Sequence, residues 1–222
     1  MTRRSGSVCA VVALAAVSAT AACGSGGAPG LEGRVDVGEG PAVVFLKGLQ
    51  AVPGDETPPS ETVITHVAGG AFEPAVSLGF VGGEFVLRND DDSLHTTHLY
   101  LHLAYQKDLS ERPIENGATL YNIAFPTKGM EVRRPIKRYH EFDEGTGAID
   151  IRCNPHPDES ATVLIFDHPY ATVVAPDGRF ELPNVPAGTH ELWLWQNGTA
   201  EMWQRVDVSA TGPTRVAGLG AR

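Results

Sequence analysis

The chain has 222 residues, enough for one domain, or one with a small appendage, around a sizeable core. Asp and Glu outnumber Lys and Arg by 27 to 17, for a net charge of −10, which argues against a nucleic-acid backbone as the main partner. The 25 glycines and 16 prolines disfavour a coiled coil or helical bundle and favour a turn-rich β protein.

The N-terminus reads as an export signal. Thr2-Arg3-Arg4 is a short cationic start, and the apolar run from Val8 to Ala19 is too short to span a bilayer. Residues 1–22 are expected to be removed, taking Cys9 with them. Thr20-Ala21-Ala22-Cys23 resembles the lipobox of bacterial lipoproteins, with Thr20 where leucine is usual. That resemblance implies lipidation of Cys23, a membrane attachment through the lipid, and a place on the periplasmic side of the cell envelope. Gly24, with no Asp beside the cysteine, points by analogy to the outer membrane. Residues 23–33, rich in Gly, Ser and Ala, are expected to form a flexible tether.

Beyond the tether, short apolar runs are punctuated by Gly, Pro and Asp: Ala42–Leu46, Thr62–His66, Glu84–Leu87, Thr97–Leu103, Ala148–Arg152 and Thr162–Phe166. Spacing of this kind predicts an all-β sandwich or barrel. In His95–Leu103 the alternation puts His95, Thr97, Leu99, Leu101 and Leu103 on one face. His98, Tyr100 and His102 take the other. His95 therefore stands at the mouth of an inward-facing row, and His98 projects away from it by alternation. The i+3 spacing from His95 still keeps His98 open as a supporting or alternative ligand, as Met130 is if it approaches in space. Asp90-Asp91-Asp92 reads as a solvated turn, because the glycine and distal glutamate of a calcium loop are missing. Arg133-Arg134-Pro135-Ile136-Lys137-Arg138 reads as a charged edge strand.

With Cys9 removed with the leader and Cys23 expected to carry lipid, Cys153 has no disulfide partner. Cys153-Asn154-Pro155-His156 falls between two predicted strands, so its thiol and imidazole can converge on one atom at a loop end. His95 occupies a comparable loop end. The spacing is compatible with a metal thiolate, and equally with a buried small hydrophobe beside a loop histidine.

After Pro169 the pattern changes. Ala171–Ala175 and Arg179–Leu182 flank Pro176-Asp177-Gly178 and read as a hairpin. Thr189–Gln196 and Met202–Val208 flank Asn197-Gly198 as another. Trp193, Trp195 and Trp203 are expected in the core or between sheets. Residues 211–222 read as a tail.

From Phe72 to Gln196 the chain resembles the periplasmic plastocyanin-like cupredoxins of the methylamine-utilisation type, in which a cupredoxin core runs into a carboxypeptidase-regulatory-like β segment. The matching pieces, in order, are Ala71-Phe72-Glu73-Pro74, Asn89 through His98, Phe125 through Gly129, and Cys153 through Pro157. They continue with His168 through Ala171, Asp177 through Phe180, and Val185 through Gly188. The resemblance implies a Greek-key β-sandwich over 34–168, a carboxypeptidase-regulatory-like segment over 169–210, and a copper site with His95, Cys153 and His156 as ligands. It implies electron transfer or copper holding with a redox partner protein, rather than enzymatic catalysis. The chain departs from the family where a weak axial methionine is usual, since that position is Glu159. Thr96 and Gln196 stand where Asn and His are common. A carboxylate is a harder ligand than a thioether and favours copper(II) over copper(I). The competing readings keep the fold without the metal, as an interaction or envelope-structural module, or make Cys153 an enzyme nucleophile. The second lacks an oxyanion loop and an orienting third residue.

Overall fold

The computed structural model describes residues 28–49, 58–102, 117–138, 146–216 and 218. The leader, Cys9, Cys23, His140 and most of the proposed tether and tail lie outside these residues. Among the described residues the chain is all-β, with sixteen strands in four sheets.

The first sandwich pairs two sheets. One has the order β4 (Ala71–Glu73), β3 (Glu61–Val67), β6 (Glu84–Asn89) and β9 (Glu131–Pro135). The other has the order β5 (Val76–Phe80), β11 (Ser160–Phe166), β10 (Thr146–Arg152), β7 (His95–His102) and β8 (Gly117–Phe125). β3 pairs with β6, and β11 with β5, in parallel, while the other pairs are antiparallel. Successive strands cross between the sheets, giving the Greek-key, cupredoxin-like sandwich expected from the sequence. Phe85, Leu87, Leu99, Phe125, Ile149, Ile151, Val163 and Ile165 fill its centre. Strand alternation holds in β7, where His95, Thr97, Leu99 and Leu101 are buried and His98 and Tyr100 face outward. β9 is an edge strand, and its Arg133 is paired with Glu61, Glu84 and Glu131.

The second sandwich draws on both ends of the chain. One sheet runs β12 (Ala171–Val173), β2 (Ala42–Lys47), β14 (Gly188–Gln196) and β15 (Thr199–Val208). The other runs β13 (Arg179–Pro183), β1 (Gly30–Arg34) and β16 (Pro213–Val216). Residues 34–47, expected with the cupredoxin-like segment, therefore pair with C-terminal strands. Part of the expected tether is β1, with Leu31 fully buried, and part of the expected tail is β16, lying parallel to β1. The pairing is nonlocal, so local periodicity carries no signal for it. The turn at Pro176-Asp177-Gly178 forms, with Gly178 at φ 83° donating its N–H to Ala175, but its flanking strands are not a hairpin. β12 pairs with β2 and β13 with β1, in different sheets. Asn197-Gly198, both at positive φ, does close the β14–β15 hairpin.

The two sandwiches stack through the sheets containing β2 and β11. Ala42, Val44 and Leu46 face the core of the second sandwich, whereas Val43 and Phe45 face Phe80, Leu164, Phe166 and Trp195. In β11, Val163 and Ile165 face the first core, and Leu164 and Phe166 face the interface. Burial on both faces explains why Ala42–Leu46 and Val163–Phe166 are continuous apolar runs instead of alternating ones. Trp193 and Trp203 pack against the interface and the second core, respectively.

Candidate metal centre

The site lies at one end of the first sandwich. β7 opens with His95 pointing inward and 1% exposed. β10 ends at Arg152, and the next residue, Cys153, turns its thiol into the same core end. The loop to β11 is short and internally bonded. The N–H of His156 donates to Cys153 O, that of Glu159 to His156 O, and that of Cys153 to Glu159 O. This winding places Cys153, His156 and Glu159 on one side of the loop. Thr96 ties the two segments together: its N–H donates to Cys153 Sγ (3.4 Å), and its hydroxyl accepts from the N–H of Asn154 (2.7 Å).

Three donor atoms form a compact triangle. Cys153 Sγ lies 3.6 Å from His95 Nδ1 and 3.5 Å from His156 Nδ1, and the two nitrogens are 3.1 Å apart. The centre of such a triangle is about 2.0 Å from each corner, close to ordinary metal–nitrogen and metal–thiolate bond lengths. Glu159 stands beside the triangle, with Oε2 3.1 Å from His95 Nδ1 and Oε1 3.3 Å from His156 Nδ1. All four residues named from the sequence thus come together. Cys153 is a buried free thiol, Glu159 is 4% exposed, and the half-exposed His156 forms the outer edge.

The electrostatics call for a cation. Asp91 Oδ2 is 2.9 Å from His95 Nε2 and can accept an N–H there, which turns Nδ1 toward the thiol, His156 and Glu159. The same contact holds the Asp91 carboxyl below the usual carboxylate range, helped by the backbone N–H of Asp92. Burial pushes the Cys153 thiol above its ordinary pKa, partly offset by the N–H groups of Thr96 and His156. A thiol, two imidazole nitrogens and a buried carboxylate converging with no lysine or arginine among them form a donor set that could hold a metal ion.

Two participants were not legible as such. Asp91 read as part of a solvated turn, although its i,i+4 spacing from His95 was a usable signal. His66, at the end of β3, is fully buried and belongs to a four-residue group with His95, Cys153 and Glu159 whose ligand atoms all lie within 4.8 Å of one another. Its ring stacks on His95 at 4.5 Å and against Phe72 at 4.1 Å. Burial first, and then the neighbouring His95, lower its pKa from 6.5 to about 4, so it is neutral at pH 7. No local sequence signal marks it.

His98, Met130, His168 and His190 lie outside the cluster. His98 faces away, as alternation required, and is held by Thr119 Oγ1 at 2.7 Å and Asn154 Oδ1 at 3.3 Å. Met130 packs against the first core. His190 is bonded to Pro186 O, and His168 accepts from the N–H of Tyr170.

Comparison with known proteins gives one family match. Residues 165–216 match the model of polysaccharide lyase family 4, domain II, over the stretch for which the resemblance implied a carboxypeptidase-regulatory-like segment. No curated protein matches the chain. Among solved structures, similar chains include a copper(I) mutant form of amicyanin, at 16% identity over 48% of this chain and 82% of that one, with a TM-score of 0.32. A reduced amicyanin mutant matches at 14% identity over 59% and 96%, with a TM-score of 0.32. An oxidized mutant matches at 15% over 57% and 99%, with a TM-score of 0.31. The fold assignment itself rests on the strand order given above.

Proposed function

We propose that this chain is a mononuclear copper-binding protein of the cell envelope that transfers electrons or holds copper. The observation that carries the reading is the triangle of Cys153 Sγ, His95 Nδ1 and His156 Nδ1, which has the size a single ion needs. One thiolate and two imidazoles are a donor set that suits copper, and Glu159 would be the fourth donor in place of a thioether. Copper bound there supplies a one-electron couple.

Each residue has a distinct part. Cys153 gives up its proton on metal uptake, and the N–H of Thr96 stabilises the sulfur that results. Asp91 fixes the His95 tautomer. The buried walls around Cys153 keep water from the sulfur, and the half-exposed His156 gives the site its route to solvent and to a redox partner protein. Glu159 adds a second negative charge, which favours copper(II). In this reading the protein is a carrier or holder rather than an enzyme, exported by residues 1–22 and attached to the envelope membrane through lipid on Cys23, on the periplasmic side and in the outer membrane.

The decisive experiment is copper(II) titration of the purified protein. Uptake of one equivalent is expected, with a thiolate-to-metal charge-transfer band that Cys153→Ala abolishes. Uptake without that band, or no stoichiometric uptake, refutes the reading.

A further inference from the structure

Around the site, one buried polar group has no assigned role. His66 Nδ1 is fully enclosed and makes no hydrogen bond of good geometry. The atom it faces is Glu159 Oε2, 3.4 Å away. Its other nitrogen, Nε2, is 3.0 Å from Thr97 Oγ1. β3 carries the ring in from the opposite sheet, across from β7, where Thr97 follows His95 on the inward face. Phe72 and Phe125 enclose the ring further, at centroid distances of 4.1 and 6.2 Å.

The chemistry of the two partners decides which nitrogen carries the proton. An ionised carboxylate only accepts, whereas a threonine hydroxyl both donates and accepts. A lone pair on Nδ1 facing Glu159 would be repulsive and would leave Nδ1 unsatisfied in a buried place. With the proton on Nδ1, His66 points an N–H toward Glu159 Oε2, and Nε2 accepts from the Thr97 hydroxyl.

We infer that His66 is a positioning residue that holds Glu159 as an oriented oxygen donor at the metal centre, through Nδ1–H directed at Oε2, with Thr97 fixing the ring from behind. The inference rests on the copper-site reading above and adds a determinant outside the loop that carries the ligands. It makes the preference for copper(II) depend on a residue 93 positions earlier in the chain than the carboxylate it holds. Ligand-orienting residues of this kind change metal affinity about 10- to 100-fold when removed. The effect here should fall on copper(II), whose partner is the hard oxygen, and spare copper(I).

Two measurements test this. In the metal-free protein, nitrogen-15 long-range correlation spectra report the tautomer of His66 without any copper. The Nδ1–H form is expected, and the Nε2–H form overturns the inference. In the second, copper(II) and copper(I) affinities are compared for the unaltered protein, His66→Phe and His66→Asn, with circular dichroism confirming that each is folded. Phe keeps the aromatic packing without the donor, while Asn places an amide N–H near the position of Nδ1. His66→Phe is expected to weaken copper(II) binding about tenfold or more relative to copper(I), with His66→Asn recovering most of the loss. A tenfold change raises the reduction potential by about 59 mV. The difference should vanish when Glu159→Gln is already present. Equal weakening of both oxidation states, no change, or a loss that persists in the Glu159→Gln background overturns the inference. If the unaltered protein takes up no copper, the site reading fails with it, whereas the tautomer result still tells whether His66 serves Glu159.

Discussion

Asp91 Oδ2 sits 2.9 Å from His95 Nε2, so a carboxylate on the turn before β7 holds the outer nitrogen of an imidazole whose inner nitrogen faces the thiol. The relationship links the outside of the protein to its buried donor set, because Asp91 is partly exposed and His95 is not. Removing the carboxylate in Asp91→Ala should weaken copper binding about 10- to 100-fold. Asp91→Asn, which keeps an acceptor but not the charge, should lose less. Competitive titration against a chelator of known affinity measures both.

Glu159→Met should convert the site toward a thioether-ligated one. The softer ligand is expected to raise the reduction potential and to shift the visible and paramagnetic-resonance spectra of the copper(II) form. An unchanged spectrum would remove Glu159 from the ligand set.

The metal-free protein should lose stability in mild acid. The pKa of His66 is about 4 in the folded chain, against 6.5 when unfolded. Between these values the unfolded chain binds a proton that the folded chain does not. The stabilisation is therefore complete above 6.5 and declines as the pH falls toward about 4. Asp91 adds to the loss only at lower pH, since its depressed carboxyl keeps its contribution until the pH falls below about 3.8. Thermal melts across this range should show a falling melting temperature, with a shallower fall in His66→Phe.

Copper uptake should itself depend on pH, where a preformed thiolate would make it nearly independent of pH. The buried Cys153 thiol must lose its proton to bind, and burial raises its pKa. Apparent affinity should gain about tenfold per pH unit below that pKa, and a potentiometric titration should record one proton released from the thiol per copper bound.

Phe166 joins the two sandwiches, with its ring 5.3 Å from Phe45 and 6.3 Å from Phe80. Phe166→Ala should destabilise the protein by about 3–5 kcal/mol. Because the cluster is shared, the unaltered protein should unfold in one transition in denaturant. Separate transitions for the two sandwiches would show that this interface does not couple them.

What the sequence determined by itself was local. Alternation in His95–Leu101 settled which side chains point inward, and Cys153-Asn154-Pro155-His156 between two strands announced a tight loop that brings thiol and imidazole together. Asn197-Gly198 specified its hairpin because positive φ at both positions is a property of those two residues. The tertiary structure alone decided the rest. The turn at Pro176-Asp177-Gly178 was legible, but its flanking strands join different sheets, since turn chemistry closes a chain reversal without choosing the partner of the strand that follows. β1, β2 and β16 sit with distant strands because parallel and crossing pairings are chosen by the burial of whole faces, which leaves no local period. His66 reached the site for the same reason. It is one inward residue on a strand of the opposite sheet, and only the packing of one sheet on the other brings its nitrogen to Glu159.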